Sequence, residues 1–384
     1  MTGREKFLAV MNFDTASPVP NWEFAYWGDT LERWYDEGMP RSHGYKTAPF
    51  SQWVAAEATC HESADGFPLD AHEYFGFDEG ICGVPVNMGM VPPLPVVELG
   101  GDDENIFLRR EDGKTVKTRR DGGSMPEFMD YPIKTAEDFE RFADHFDASD
   151  PSRFPIPLDS DASWAKPGAP RQIWGGVFTG FYSVVRELMG FEGSLFAFYD
   201  NPELVVRIQE FFSDFRMELF ARALEHCEID YVLIWEDMAF KNGPMISPAM
   251  FDEFILPYYK RFTDMLRGRF GIKNIFVDCD GDFSCLIPSF IKGGVTGFYP
   301  FEVQAGMDIE RIREAYPDLI IMGGIDKMAL SAGRDAIGAE LKKAGRMLEK
   351  GGFIPYTDHM VPPDVSLSDY RYFRAELKKL LDRG

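Results

Sequence analysis

Cysteine is scarce in this chain: five in 384 residues, at Cys60, Cys82, Cys227, Cys279 and Cys285. The count is odd and the positions are scattered, so a disulfide framework is not expected, and a reducing cytoplasm suits the composition. No CxxC or HExxH pattern occurs, which removes the commonest local zinc signatures. Positive charge is also short, with 40 Lys and Arg against 63 Asp and Glu and a net charge of −23. That balance argues against nucleic acid and anionic membranes as partners. No apolar run approaches the roughly 18 residues a membrane span needs. Residues Met1 to Lys6 lack the apolar core of a signal peptide. There is no GxGxxG or P-loop pattern, no short-period repeat and no low-complexity tract.

What the chain has in quantity is apolar and aromatic residues, 45% and 15%, with 34 Phe. Most of these rings are expected in a core, the usual place for them. The apolar residues in the last third fall into five runs, each ending in a polar or acidic residue. Tyr231 to Trp235 stops at Glu236 and Asp237. Asn274 to Val277 stops at Asp278-Cys279-Asp280-Gly281. Val295 to Phe301 stops at Glu302. Leu319 to Met322 stops at Gly323-Gly324-Ile325-Asp326. Phe353 to Tyr356 stops at Thr357-Asp358-His359. A helical pattern follows each. Runs of this kind predict parallel strands buried on both faces, joined by crossover helices.

That rhythm predicts a single (β/α)8 TIM barrel over residues 1–384, whose site lies at the C-terminal strand ends. Earlier elements fit less regularly. Thr2 caps a predicted helix over Gly3 to Asn12, and Val19 to Phe24 reads as a first strand. Gln172 to Phe178 reads as another strand, followed by an amphipathic helix over Pro202 to His226. Asn105 to Arg110 and Thr115 to Arg120 flank Glu111-Asp112-Gly113-Lys114, which predicts a β-hairpin inserted in the barrel at about 95–125. Ser247-Pro248 starts a helix, another spans Glu340 to Glu349, and Ser366 to Leu381 closes the chain.

The rim of such a barrel carries Glu236, Asp237, Asp278, Asp280, Glu302, Asp326, Asp358 and His359. Buried carboxylates are costly without a partner, so this set points to a metal, a cationic centre or proton transfer. Asp278 and Asp280 lie two residues apart and point to one side of an extended strand end. The plainer account makes either of them a helix cap. Cys279, between them, is expected to face packing. Gly323-Gly324 is expected to allow close backbone approach. Trp22, Tyr26, Trp27, Trp174 and Phe178 are candidates to line an aromatic pocket, with core packing as the alternative for each.

Several motifs, in order, resemble the uroporphyrinogen decarboxylase superfamily. They are Gly3-Arg4-Glu5-Lys6-Phe7, the Pro20 strand, Ser247-Pro248, Val277-Asp278-Cys279-Asp280-Gly281, Gly306-Met307-Asp308, Gly323-Gly324-Ile325-Asp326 and Asp358-His359-Met360-Val361-Pro362-Pro363-Asp364-Val365. The resemblance implies a TIM barrel, and either a decarboxylase or a methyltransferase serving corrinoid proteins. True decarboxylases bind an octa-anionic tetrapyrrole through an arginine-bearing segment after the first strand. Here that segment reads Asn21-Trp22-Glu23-Phe24-Ala25-Tyr26-Trp27-Gly28-Asp29 and has no arginine, so its charge-assisted forks are lost. Asp78, in Phe75-Gly76-Phe77-Asp78, stands where the resemblance would put the decarboxylases' catalytic acid. The thiol-activating methyltransferases carry His-x-Cys-Gly and a late Cys as zinc ligands. The matching positions here are Asp278, Asp280 and His359, a harder ligand set.

The resemblance therefore favours a corrinoid-dependent methyltransferase, concretely a zinc-assisted O-demethylase of a methoxylated aromatic or similar small donor. Asp278, Asp280 and His359 are its metal candidates. Glu236, Asp237 and Glu302 are its catalytic candidates. Trp22, Tyr26, Trp27, Asp78, Trp174 and Phe178 are its substrate-binding candidates. The expected partners are a corrinoid protein carrying cobalamin and, by analogy, a second copy of the chain in a homodimer. The alternatives are a metal-free decarboxylase of uroporphyrinogen or another carboxylated substrate, and a non-enzymatic barrel binding a tetrapyrrole or aromatic ligand.

Overall fold

The computed structural model describes residues 1–43, 69–120, 126–158 and 164–382, with the backbone of 54–55. Its main sheet has seven parallel strands, in the spatial order β8-β7-β6-β5-β4-β3-β2. They are β2 (Cys82–Gly83), β3 (Arg171–Ile173), β4 (Tyr231–Trp235), β5 (Asn274–Asp278), β6 (Gly297–Tyr299), β7 (Ile320–Met322) and β8 (Phe353–Ile354). Register aligns the strand ends. Asp278 pairs with Trp235 on one side and Tyr299 on the other. Each strand is nearly continuous in apolar residues because helices cover its outer face while its inner face meets its neighbours across the barrel. The fold is TIM-barrel-like α/β.

The first strand, β1 (Ala25–Tyr26), is shorter than the sequence predicts. Residues 19–24 run extended but exchange single bonds with different elements instead of forming a ladder. Val19 N–H donates to Leu381 O, and Asp78 N–H donates to Asn21 O. Tyr26 bridges in parallel to Val361, so β1 sits between the last strand and the first edge of the sheet. This join is held by a buried side-chain cluster. The Glu23 carboxylate accepts from Thr357 N–H at 2.9 Å, Thr357 Oγ1 at 2.6 Å, Tyr370 Oη at 2.6 Å and Arg374 Nη1 at 3.2 Å. Arg374 also donates to the Asn21 side chain. Removing one partner of a buried pair strands the other charge. Glu23→Gln is therefore expected to cost about 3 kcal/mol in urea unfolding. A loss within about 0.5 kcal/mol would show that the pair does not hold the join.

The helices begin where local chemistry starts them. Thr2 and Glu5 form a capping box for Gly3–Met11. Ser247 caps Pro248–Phe254, and Ser366 caps Leu367–Leu381. The helix expected over Glu340 to Glu349 is longer, Arg334–Lys350, because it starts directly after Gly333. The strand expected to reach Phe178 stops at Ile173. Gly175 and Gly176 turn the chain into a short 3-10 helix, with Gly176 at φ +60°. Gly323 and Gly324 both have positive φ, and a Cβ on Gly323 would lie 2.3 Å from Pro300 O. Close backbone approach accounts for that pair. Val97–Gly101, Asn105–Arg109, Thr115–Arg119 and Glu127–Asp130 form a four-stranded antiparallel sheet, wider than two strands, in which Asn105–Arg109 pairs with Thr115–Arg119. Cys60 lies outside the described residues, and the other four cysteines form no disulfide with one another. No helix of the described residues is long and apolar enough to cross a membrane.

Candidate active site

The C-terminal ends of β4 to β8 bring the predicted acids to one end of the barrel, but in different roles. Glu236, after β4, is fully buried. Its carboxylate accepts from the backbone N–H of Phe181 (2.8 Å), Tyr182 (3.0 Å) and Ser183 (3.0 Å), and from Tyr259 Oη (2.5 Å). These are the unpaired amides at the start of helix Tyr182–Met189, which carries no capping side chain of its own. Burial pushes the Glu236 carboxyl up, and the Tyr259 hydroxyl and the amides pull it back. With its oxygens spent on four donors, Glu236 holds the β3 loop in place.

Asp237, the next residue, is partly exposed and sits at φ +34°, a conformation few non-glycine residues adopt. Arg186 clamps it, donating to its carbonyl at 2.7 Å and its carboxylate at 3.1 Å. Burial pushes the Asp237 carboxyl up, Arg186 lowers it, and the Asp280 charge raises it again. Backbone strain of this kind gathers at functional sites. Across the mouth, His359 Nε2 lies 3.5 Å from Asp280 Oδ2. The imidazole packs on Phe24, ring centroids 5.2 Å apart, and Phe24 also meets Tyr299 and Tyr356 at 6.0 and 6.3 Å. Both members of the pair are partly exposed. Asp278 is half-buried, and its carbonyl accepts from Glu236 N–H.

A third group joins β6, β7 and β8. Lys327 Nζ lies 3.3 Å from Glu302 Oε1 and 3.7 Å from Asp358 Oδ1. Glu302 also accepts from Gly281 N–H at 3.0 Å. Gly281 has φ +75°, and a Cβ there would meet Ala239 O at 2.6 Å, so this contact needs glycine. Asp358 is fully buried and accepts from Val303 N–H and Lys327 N–H at 2.8 and 3.0 Å. Burial pushes its carboxyl up to about 6, against the pull of Lys327 and the amides. Asp326 caps its own turn and accepts from Gln304.

The raised Asp358 carboxyl has a signed consequence. The folded state holds this proton more tightly than the unfolded chain does. Its contribution is complete below the ordinary aspartate pKa and is lost as pH rises through about 6. The gap between the ordinary value and about 6 is worth roughly 3 kcal/mol. The stability of Asp358→Asn relative to wild type is therefore expected to improve by about that amount between pH 4 and 7. A difference that stays flat across this range would mean Asp358 stays ionised in the fold.

Most of the aromatic candidates lie elsewhere. Trp22 is core, its Nε1–H donating to Glu79 O, and it packs on Phe7. Tyr26 is core, hydrogen-bonded to Tyr370 and packed on Trp34. Phe178 packs between Phe146 and Phe212, under the outer helices. Trp27 is half-buried at the start of helix Gly28–Asp36. Asp78 forms an ion pair with Lys6 at 2.7 Å and accepts from Asn21 N–H, which makes it a structural acid. Trp174 alone of the five aromatic candidates is exposed, just after the end of β3. The residues that do flank the mouth and were not singled out are Phe24, Arg186, Tyr299, Lys327 and Tyr356. Phe24 alternates with the two buried residues Glu23 and Ala25, and strand alternation was the available signal.

The fit to the expected groups is uneven. Among the described residues, no three His, Cys, Asp or Glu side chains gather as metal ligands. Asp280 and His359 supply two donors, and Asp278 does not complete a set with them. A structural or catalytic zinc site takes at least three protein ligands. The donor set therefore does not match the zinc site the sequence led us to expect. The rim cations Arg186 and Lys327 are each paired with carboxylates, which is a poor reception for a polyanion.

No curated protein matches the sequence. Over its whole length the fold is similar to that of a methyltransferase from Methanosarcina mazei, with TM-score 0.55, 14% identity and 99% of each chain covered. A structure described as a vitamin-B12-independent methionine synthase from Listeria monocytogenes overlaps 48% of this chain and 56% of its own at TM-score 0.29 and 14% identity, too little to bear on the fold. The family model for uroporphyrinogen decarboxylase (URO-D) matches residues 112–380, which span the antiparallel sheet's second half, the strands from β3 to β8 and the whole acidic rim. The chain belongs to the uroporphyrinogen decarboxylase family.

Proposed function

We propose that this chain is a methyltransferase that takes a methyl group from a small methoxylated aromatic, or a similar donor, and passes it to a corrinoid carried by a partner protein. The observation that carries the reading is the His359–Asp280 pair, which opens to the mouth beside the Phe24 ring. An aryl ether stacked on Phe24 presents its oxygen to the imidazole. His359, protonated, donates to that oxygen as the carbon–oxygen bond breaks, so a phenol departs instead of a phenolate. Asp280 orients the ring and balances its charge, the role a carboxylate plays beside a catalytic histidine. The corrinoid supplies the nucleophile that takes the methyl carbon. No step is routed through zinc, because the donors do not assemble a site for it.

The family's other chemistry is the second reading: decarboxylation of uroporphyrinogen or another carboxylated substrate. The pairing of Arg186 and Lys327 with carboxylates counts against it. One experiment separates the two. The purified chain is incubated with 2-methoxyphenol and chemically reduced free cobalamin, and in parallel with uroporphyrinogen. Methylcobalamin and catechol in the first mixture, unaffected by EDTA, are the expected result. Loss of that activity on chelation would overturn the His359 assignment while keeping methyl transfer. Decarboxylated porphyrinogen with no methylcobalamin would overturn the proposal.

A further inference from the structure

Helix Pro202–Leu224 buries Gln209, Ser213 and Arg216 completely. The spacing of four and then three residues sets them on one helical face. Each has one buried polar atom with no hydrogen-bond partner among the described residues: Gln209 Oε1, Ser213 Oγ and Arg216 Nη1. Their other polar atoms converge on a single bend of the chain after β3. Gln209 Nε2 donates to Phe181 O at 2.6 Å, Arg216 Nη2 to Gly180 O at 2.8 Å, and Arg216 Nε to Phe178 O at 2.9 Å. Gly180 and Phe181 are consecutive, so the two long side chains end side by side, with Ser213 between them along the helix.

Three buried polar atoms without a hydrogen-bond partner on one face are costly, and the Arg216 guanidinium, which packs over the Phe181 ring at 4.1 Å, gains no hydrogen bond at Nη1 from that contact. They are also complementary. Nη1 is a donor, Oε1 an acceptor and Oγ both. An anion is disfavoured, since the buried Glu236 carboxylate already acts on Arg216. A cation would meet the guanidinium. A neutral molecule that accepts one bond and donates two remains, and buried waters typically make about three bonds. We infer that Gln209, Ser213 and Arg216 enclose, against the 178–181 bend, a binding site for one internal water. It accepts from Arg216 Nη1, donates to Gln209 Oε1, and bonds Ser213 Oγ.

This water completes a clamp. The carbonyls of the bend are held by Arg216 and Gln209, and its amides by Glu236. No side chain fits at Gly180, whose Cβ would lie 2.0 Å from Trp235 O. The site therefore ties a peripheral helix to the loop that enters the barrel mouth, whatever reaction occurs there.

A crystal structure of the full chain, at a resolution that shows ordered solvent, tests it. The expected result is one spherical density peak within about 2.7 to 3.2 Å of all three atoms. It should be as well ordered as its neighbours. Ser213→Val should displace it, and Ser213→Ala should keep it with two partners. Bromide-soaked crystals should show no anomalous signal there. A wild-type map without the peak, or with the three atoms bonded to protein groups, overturns the inference. An anomalous bromide peak overturns the neutral ligand. If Ser213→Val does not fold, the wild-type and bromide maps still decide.

Discussion

Glu236→Ala is expected to destabilise the protein by about 5 kcal/mol in urea unfolding, on the order of a whole domain's margin. The substitution strands the amides of Phe181, Tyr182 and Ser183 and the Tyr259 hydroxyl, all without access to water. It also removes the negative charge beside Arg216, which burial already pushes down to about 10. Tyr259→Phe takes away only one of the four donors and leaves the carboxylate capping the helix. It should cost about 2 kcal/mol. The ratio between the two variants is the informative quantity. A Glu236→Ala protein as stable as Tyr259→Phe would mean that the amides find other acceptors. A stable protein inactive in every assay would return Glu236 to the reaction.

His359→Ala is expected to lower kcat for demethylation by roughly 10² to 10⁴-fold, the range over which a positioned proton donor acts. KM should move little, because the imidazole contributes at the leaving oxygen as charge develops there. Asp280→Asn keeps the shape and removes the charge that steadies the imidazolium, so a smaller loss of about tenfold is expected. Phe24→Leu should raise KM and spare kcat, since the ring's role is to hold the substrate. Rapid-quench measurement of phenol release, with free reduced cobalamin as acceptor, separates these effects. Equal losses of kcat in the His359 and Phe24 variants would mean that the pair only shapes the mouth.

The barrel was legible because its cause is local and repeated. Apolar runs ending in acids at β4 to β8 arise wherever parallel strands are covered on both faces, and Asp278 falls at a strand end as that pattern requires. Cap positions such as Thr2, Ser247 and Ser366 were readable for the same reason. The acids themselves were harder to sort. Glu236 and Asp237 are adjacent in sequence, yet one is spent on amides 53 to 55 residues away and the other faces Arg186 at the mouth. Nothing local distinguishes them, since the deciding partners come from the helix Tyr182–Met189, distant in sequence. Asp78 looked catalytic by position, but Lys6 supplies a structural reason for it. Aromatic side chains gave the least information. Trp22 and Tyr26 are apolar enough for a ligand and equally apolar enough for a core, and packing took them.

The join at Glu23 also sets an order of events. Its carboxylate meets Arg374, 351 residues along the chain. During synthesis, Asn21 and Trp22 can already meet Asp78 and Glu79, but the Glu23 carboxylate lacks Thr357, Tyr370 and Arg374 until nearly the whole polypeptide has emerged. The strands from β4 to β8 each pair with a neighbour close in sequence and can assemble as they appear, whereas the bridge from Tyr26 of β1 to Val361 must wait. A nascent chain arrested shortly before residue 370 would hold most of the sheet with Glu23 still lacking Tyr370 and Arg374. Protease sensitivity near residues 19–26 should then persist until the last helix is released and vanish within the closing step.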